Sequence, residues 1–378
     1  MTESALKMPH AVVMDDLKHK LDLIRDVVPL SRPVVFLDYP MHGNVGDLLI
    51  HAGTDRFFAV NFYEVIGRFS IHEFCLTHRP DRPIVYFKDS VSRLDALVKR
   101  GVTIVFQGGG NLGDLYRDHQ MFRELVIARY PETPIVILPQ SIHFQAPESR
   151  QATAKVFAGH RQLYVFARDR ESLSFVREEC GNPASLMPDM AHALWGSLPR
   201  QDGTQQGTLH FRRRDKEAKL LPDEPAASFD WDDVTSAADR FTIRLLRKMQ
   251  SLDLPTRHVV PNHVLWDGYR DRLLRRSVDR VGRYGHLVTD RLHGMILGAL
   301  LDMPVTSEDN SYGKVGRYYA EWFAASDRIE HRVQRRTPPA PSVSRSPVSA
   351  GAGREKADTG LSRASCADNT GALRENGV

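Results

Sequence analysis

The chain has 378 residues, enough for two domains that each bury a core, and its 42% hydrophobic and 26% charged content is that of a water-soluble globular protein. Its formal charge of +4 is spread out, with Arg212, Arg213 and Arg214 broken up at once by Asp215, Lys216 and Glu217, which excludes an extended nucleic-acid-binding stripe. Three distant cysteines (Cys75, Cys180, Cys366) exclude a disulfide framework and a cysteine-rich zinc site; with no signal-like N-terminus and no apolar run near the roughly 20 residues of a membrane helix, the cytoplasm is the expected compartment.

Residues 15–28 carry Leu17, Leu21, Ile24 and Val28 at helical spacing and read as an amphipathic helix leading into a first strand at 33–38. That strand opens into Gly43-Asn44-Val45-Gly46-Asp47 and a helix through Ile50 and Phe57. Apolar runs at 83–87, 102–107, 135–138 and 163–167 read as further strands, with a helix at 90–100 among the connections. Strands alternating with helices over this length imply a parallel, doubly wound sheet. A polar stretch without periodicity, 196–207, is the expected linker. Beyond it come a strand at 208–211, an acidic, proline-containing insertion at 222–233, a helix at 237–249, a strand at 258–260, a helix at 266–281 and a last helix around 315–323. From about Arg336 the chain is rich in Pro, Ser, Ala, Gly and Arg, a composition that cannot offset its ordering entropy. The expected organisation is a helical lead-in (1–32), two α/β domains (33–200 and 207–335) and a disordered tail (336–378).

The apolar run at 286–288 ends at Thr289-Asp290, read as an N-cap pair, and a helix of small and aliphatic residues follows. Arg291 and His293 then fall in the first helical turn, where unpaired N–H groups and the helix dipole favour an anion. On this stretch alone a phosphate or carboxylate site and an ordinary βα turn, with a capped arginine and a packed histidine, are both open. Two nearly identical hexamers, Gly43-Asn44-Val45-Gly46-Asp47-Leu48 and Gly110-Asn111-Leu112-Gly113-Asp114-Leu115, each follow a strand and precede a helix. Glycines there permit a sharp turn and close approach to a ligand; simple reuse of tight-turn chemistry is the alternative. Arg168, Asp169 and Ser172 stand at the carboxyl end of a strand, where open α/β sheets bind ligands. Arg168 suits a carboxylate or phosphate, or else pairs with Asp169; Lys314 is another cation or a surface lysine. His42, His143 and His192 lie near strand ends without metal-ligand spacing, as hydrogen-bonded turn residues do.

Gly108-x-Gly110-x-x-Gly113 matches a dinucleotide fingerprint, but the strand that should end in a ribose-binding acid ends Leu138-Pro139-Gln140, and Asp114 would face a pyrophosphate. NAD and FAD are set aside on that ground. Zinc-protease, Walker and esterase motifs are absent from the sequence.

Taken in order, G-N-V-G-D at 43–47, Q-G-G-G-N-L-G-D at 107–114, L-P-Q-S at 138–141, A-R-D-R-E-S at 167–172, P-D-M-A at 188–191, R-L-H-G at 291–294 and Y-G-K-V at 312–315 resemble the polysaccharide pyruvyl transferase family. The resemblance runs from about Val34 to Phe323 and is nearest to the bacterial exopolysaccharide branch. It implies two Rossmann-like lobes, similar to glycosyltransferase-B enzymes, with the active site in the cleft. It also implies transfer of a pyruvyl group from phosphoenolpyruvate to a hydroxyl pair of an exopolysaccharide precursor, closing a ketal. Carried over by motif, Arg168, Arg291, the amide of Leu292 and Lys314 hold the donor's phosphate and carboxylate, and His293 is the acid/base. Gly43, Asn44, Gly46, Asp47, Gly109, Gly110 and Asn111 are the expected remainder of the substrate site, with no metal and no cofactor. The acceptor is expected to be a sugar or lipid-linked oligosaccharide at the inner membrane face, and the mild positive charge is compatible with peripheral contact there. Two other classes remain: a nucleotide-sugar glycosyltransferase on a similar fold, and a catalytically silent module of a polysaccharide assembly complex.

Overall fold

In a computed structural model, the residues described are 7–74, 88–199, 204–214, 228–251, 261–309 and 313–332. The expected strands at 83–87 and 258–260 and the tail from 336 lie outside them.

Two parallel sheets organise this α/β chain. The first holds β1 (Val34–Leu37), β2 (Val65–Phe69), β3 (Thr103–Phe106), β4 (Gly109–Leu112), β5 (Ile135–Ile142), β6 (Leu163–Ala167) and β7 (Ala184–Leu186). Its order is β2-β1-β3-β5-β6-β7, with β4 added against β5. The second holds β8 (Thr208–Phe211), β9 (His286–Thr289), β10 (Val305–Glu308) and β11 (Ile329–Arg332), side by side in chain order. This is a glycosyltransferase-B-like arrangement. Every residue of β1 and β3 is buried, as apolar runs covered by helices on both faces must be. In the first sheet the path leaves β1 towards β2 on one side and resumes at β3 on the other. The carboxyl ends of β1 and β3 therefore flank a switch point, where a crevice forms.

Three local expectations are corrected. The N-terminal helix begins five residues before the predicted start, at His10, and continues through a tighter turn to Val27. The glycine run after β3 is not a simple turn. Gly109–Leu112 pairs with β5, because ladder hydrogen bonds to a neighbouring strand outweigh glycine's poor strand preference. The helix after β9 starts at Leu292 with Arg291 as N-cap, while Thr289 Oγ1 accepts from the Arg291 amide at 3.0 Å and Asp290 accepts from the Arg213 amide at 2.9 Å.

The lobes are joined by a shared core. The helix Val45–Val60, capped by Asn44 through a 3.1 Å bond from the Gly46 amide, packs against the turn Met190–Leu194, the helix Asn262–Val281 and the helix Leu292–Leu300. Gly53 permits this closeness: a Cβ there would stand 2.1 Å from the Met190 carbonyl oxygen. At the same junction buried His51 lies 3.5 Å from Asp55 and 3.8 Å from Asp267, and Asp55 is ion-paired with Arg68 and Arg270. Burial raises the Asp267 carboxyl to about 7.

Candidate active site

The first lobe contributes the ends of β1, β3 and β6. Arg168, immediately after β6, is 2% exposed, ion-paired with buried Asp189 through Nη1 and bonded to Ser141 Oγ through Nε at 3.3 Å. Asp189 follows β7 and caps the turn Met190–Leu194, and its amide donates to the Tyr318 hydroxyl oxygen at 2.9 Å. Burial opposes its charge, but His293 and Arg168 hold its carboxyl well below the usual range. The loop Gly43–Asp47 adds Asn44, whose side chain donates to Asp47 at 2.8 Å. Gly110 lies against Arg168: a Cβ there would meet Nη2 at 3.1 Å.

The second lobe contributes the start of the helix Leu292–Leu300, which no side-chain hydrogen bond caps. Arg291 is gripped by Asp230, with Nη2 2.6 Å from Oδ2. His293 Nε2 is 3.4 Å from Asp189 Oδ2, a contact that crosses between the lobes. Gly46 is the floor beneath this ring, since a Cβ on it would stand 2.4 Å from His293 Nδ1.

These groups meet in a cavity of about 240 Å³. Of the residues predicted from sequence, Arg168, Arg291, Leu292, His293, Lys314, Asn44, Asp47, Gly110 and Asn111 line it. Gly43 lines an adjoining pocket of about 470 Å³, which shares Asn44, Trp231 and Arg291 with the first. Gly46 and Gly109 stand behind the wall, Gly109 with a φ of 136° that favours glycine. His42, Tyr116, His119, Arg213 and Trp231 complete the lining and were not among the predicted site residues. Trp231 and Asp230 close the stretch read as an acidic insertion, and Asp-Trp before a helical turn was the one signal for them. His192 is not in the cavity; it is buried, bonds the Tyr318 hydroxyl at 3.0 Å, and burial pushes its pKa down to about 4.

The adjoining pocket has a basic wall. Arg240, Arg244 and Arg247 rise from successive turns of the helix Ala237–Ser251. Arg240 donates to the Thr235 carbonyl at 3.0 Å and Arg247 to that of Met41, and none of the three forms an ion pair with a described carboxylate. Asp232 lies in the same wall.

The polysaccharide pyruvyl transferase family matches residues 44–312, a span that holds the cavity's lining residues other than His42 and Lys314. The chain belongs to that family. Within it, the chain is 36% identical over 333 residues to the Bacillus subtilis (strain 168) protein named "Putative pyruvyl transferase EpsO", covering 86% of this chain and 98% of that one. It is 24% identical to "Pyruvyl transferase 1" of Schizosaccharomyces pombe, over 77% of this chain and 70% of the other. A crystal structure of a functionally uncharacterised Klebsiella pneumoniae protein shares the fold at a TM-score of 0.52 and 20% identity, over 84% of this chain and 99% of that one. As a family member the chain is a transferase enzyme, a pyruvyl transferase. Among the described residues no helix is long and apolar enough to cross a membrane.

Proposed function

We propose that the enzyme transfers the pyruvyl group of phosphoenolpyruvate to two hydroxyls of one sugar in an exopolysaccharide precursor, as a cyclic ketal. The observation that carries this reading is the convergence of Arg168, Arg213, Arg291, Lys314 and His293 on one small cavity at an uncapped helix start. Phosphoenolpyruvate carries two anionic groups, a phosphate and a carboxylate, and such a wall suits both. Protonation of its methylene carbon makes the central carbon electrophilic; a sugar hydroxyl adds there, phosphate departs, and a second hydroxyl closes the ring. His293 is the proton donor, fixed by Asp189, and the cations stabilise the leaving phosphate. No metal or cofactor enters this scheme. The acceptor reaches the cavity through the arginine-walled pocket, which suits an oligosaccharide still attached to a phosphate-bearing lipid carrier at the inner membrane face.

Thermal shift with phosphoenolpyruvate, UDP and a UDP-sugar tests the donor. A ligand at about a hundred times its Kd stabilises by about 2.7 kcal/mol. The expected result is a shift with phosphoenolpyruvate that Arg291→Ala weakens and His293→Ala retains, with phosphate release lost in His293→Ala. A shift with the nucleotides and none with phosphoenolpyruvate refutes the reading.

A further inference from the structure

Two histidines of the cavity have the same kind of support. Asp189 lies between Arg168 and His293; Asp38 lies between Arg123 and His119. His119 Nδ1 is 2.7 Å from Asp38 Oδ1, and Arg123 Nη2 is 2.9 Å from Oδ2. Asp38 is 1% exposed and Arg123 0%, and Arg123 is itself tied to the Asn111 carbonyl at 3.1 Å. At the end of β1, Asp38 holds a φ of 65°. That left-handed backbone is unfavourable for a non-glycine residue and persists where the surroundings enforce it, often at functional sites. With Asp38 accepting from Nδ1–H, the lone pair of the neutral His119 ring is on Nε2. That nitrogen has no hydrogen-bond partner among the described residues, and the ring lines the cavity. His42, on the same wall, is engaged at both nitrogens, by the Asn44 amide at 3.3 Å and by Asp47 at 3.6 Å.

We infer that His119 is a second proton-transfer residue of the reaction, oriented by Asp38 so that Nε2 faces the cavity. The inference rests on the phosphoenolpyruvate reading above. Addition of a hydroxyl across the enol double bond needs a proton given to the methylene carbon and one taken from the attacking oxygen, and a single imidazole cannot do both at once. His293 gives its proton to the methylene carbon, the π pair forming the new C–H bond of a methyl group. His119 Nε2 takes the proton of the first hydroxyl as its oxygen bonds the central carbon. In the second half the carbon–oxygen bond to phosphate breaks, the phosphate keeping the electron pair, and the second hydroxyl oxygen bonds the same carbon. Its proton goes to neutral His293, and His119 passes its own to the departing phosphate. The two hydroxyl protons are thus accounted for by the methyl group and by hydrogen phosphate, and both histidines return to their starting states.

The test is phosphate release from phosphoenolpyruvate by the full chain carrying His119→Ala, with and without added imidazole. The expected kcat falls by about 10²–10⁴-fold at unchanged KM for phosphoenolpyruvate, and imidazole restores part of it. Asp38→Asn, which alters a positioning residue, lowers kcat in the same direction. Should the alanine variant not fold, His119→Gln replaces it with the same expected fall in kcat. A kcat within a few-fold of wild type, a loss confined to KM, or a loss that imidazole leaves untouched overturns the inference. Wild-type protein that releases no phosphate overturns the donor reading and this inference together, whereas wild-type turnover with unaffected variants overturns this one alone.

Discussion

Gly46→Ala separates catalysis from folding with one methyl group. The added Cβ would stand 2.4 Å from His293 Nδ1, 2.8 Å from Cγ and 2.9 Å from Cβ. Ordinary contact begins at 3.4 Å, so the ring must retreat by about 1 Å, and because Cβ and Cγ are also too close its stem must move as well as its tip. Gly46 lies in the first turn of the helix Val45–Val60 without a left-handed φ, so the backbone does not resist the change. A displacement of 1 Å in a catalytic group costs about 10²-fold in rate, or about 2.7 kcal/mol of transition-state stabilisation. The expected variant is folded, binds phosphoenolpyruvate near wild-type strength, and turns over about a hundred times more slowly. Phosphate release under saturating donor, with thermal shift for binding, makes the comparison. Wild-type kcat would refute the reasoning, because it would mean that the position of His293 does not limit the reaction.

Asp189→Asn leaves Arg168 buried without its counter-charge and should destabilise by about 3–5 kcal/mol, read from denaturant unfolding; an unchanged midpoint contradicts the pairing. Because partners depress the Asp189 pKa, its contribution is complete above the unfolded value near about 4 and is lost as pH falls further, so the variant should show a shallower loss of stability in acid than wild type. Asp267 has the opposite sign: its folded pKa of about 7 lies above the unfolded value, so the folded state binds the extra proton and stability declines as pH rises from about 4 to 7. Asp267→Asn should therefore raise the melting temperature at pH 8 and change it little at pH 4, and equal shifts at both would count against the argument. Arg244→Ala should raise KM for an anionic acceptor while leaving KM for phosphoenolpyruvate unchanged; a change in donor KM alone would show that the basic wall serves the donor instead.

The alternation of strands and helices was legible because the central strands of the first sheet are covered on two faces, which turns β1, β3 and β6 into short uninterrupted apolar runs. The turn after β9 was legible for a related reason: an arginine and a histidine at a helix start have a meaning that local chemistry supplies. Asp38, His119 and Arg123 were not. On the helix Arg117–Arg129 such residues look like an exposed charged face, and only the approach of β1 from 80 residues away converts them into a buried network. Asp230 and Trp231 were hidden by the acidic stretch before them, whose composition gave no hint that its end holds Arg291. Glycine's weak strand preference concealed β4, since the pairing that makes it a strand comes from β5.

The beginning of the described chain is tied to its far end. Met8 pairs with Ser326, the His10 amide donates to Asp327 at 2.8 Å, and the His10 ring bonds Ser326 and the Ala299 carbonyl. Lys18 and Asp15 then tie the same helix to Trp195. The docking surface of this helix includes residues translated more than 300 positions after it. Those contacts can form only after every described strand but β11 has been made, which favours late docking of the helix. A deletion reaching His10 should accordingly leave each sheet able to assemble but remove these ties, so that a late refolding phase of the intact protein is lost or reduced in amplitude.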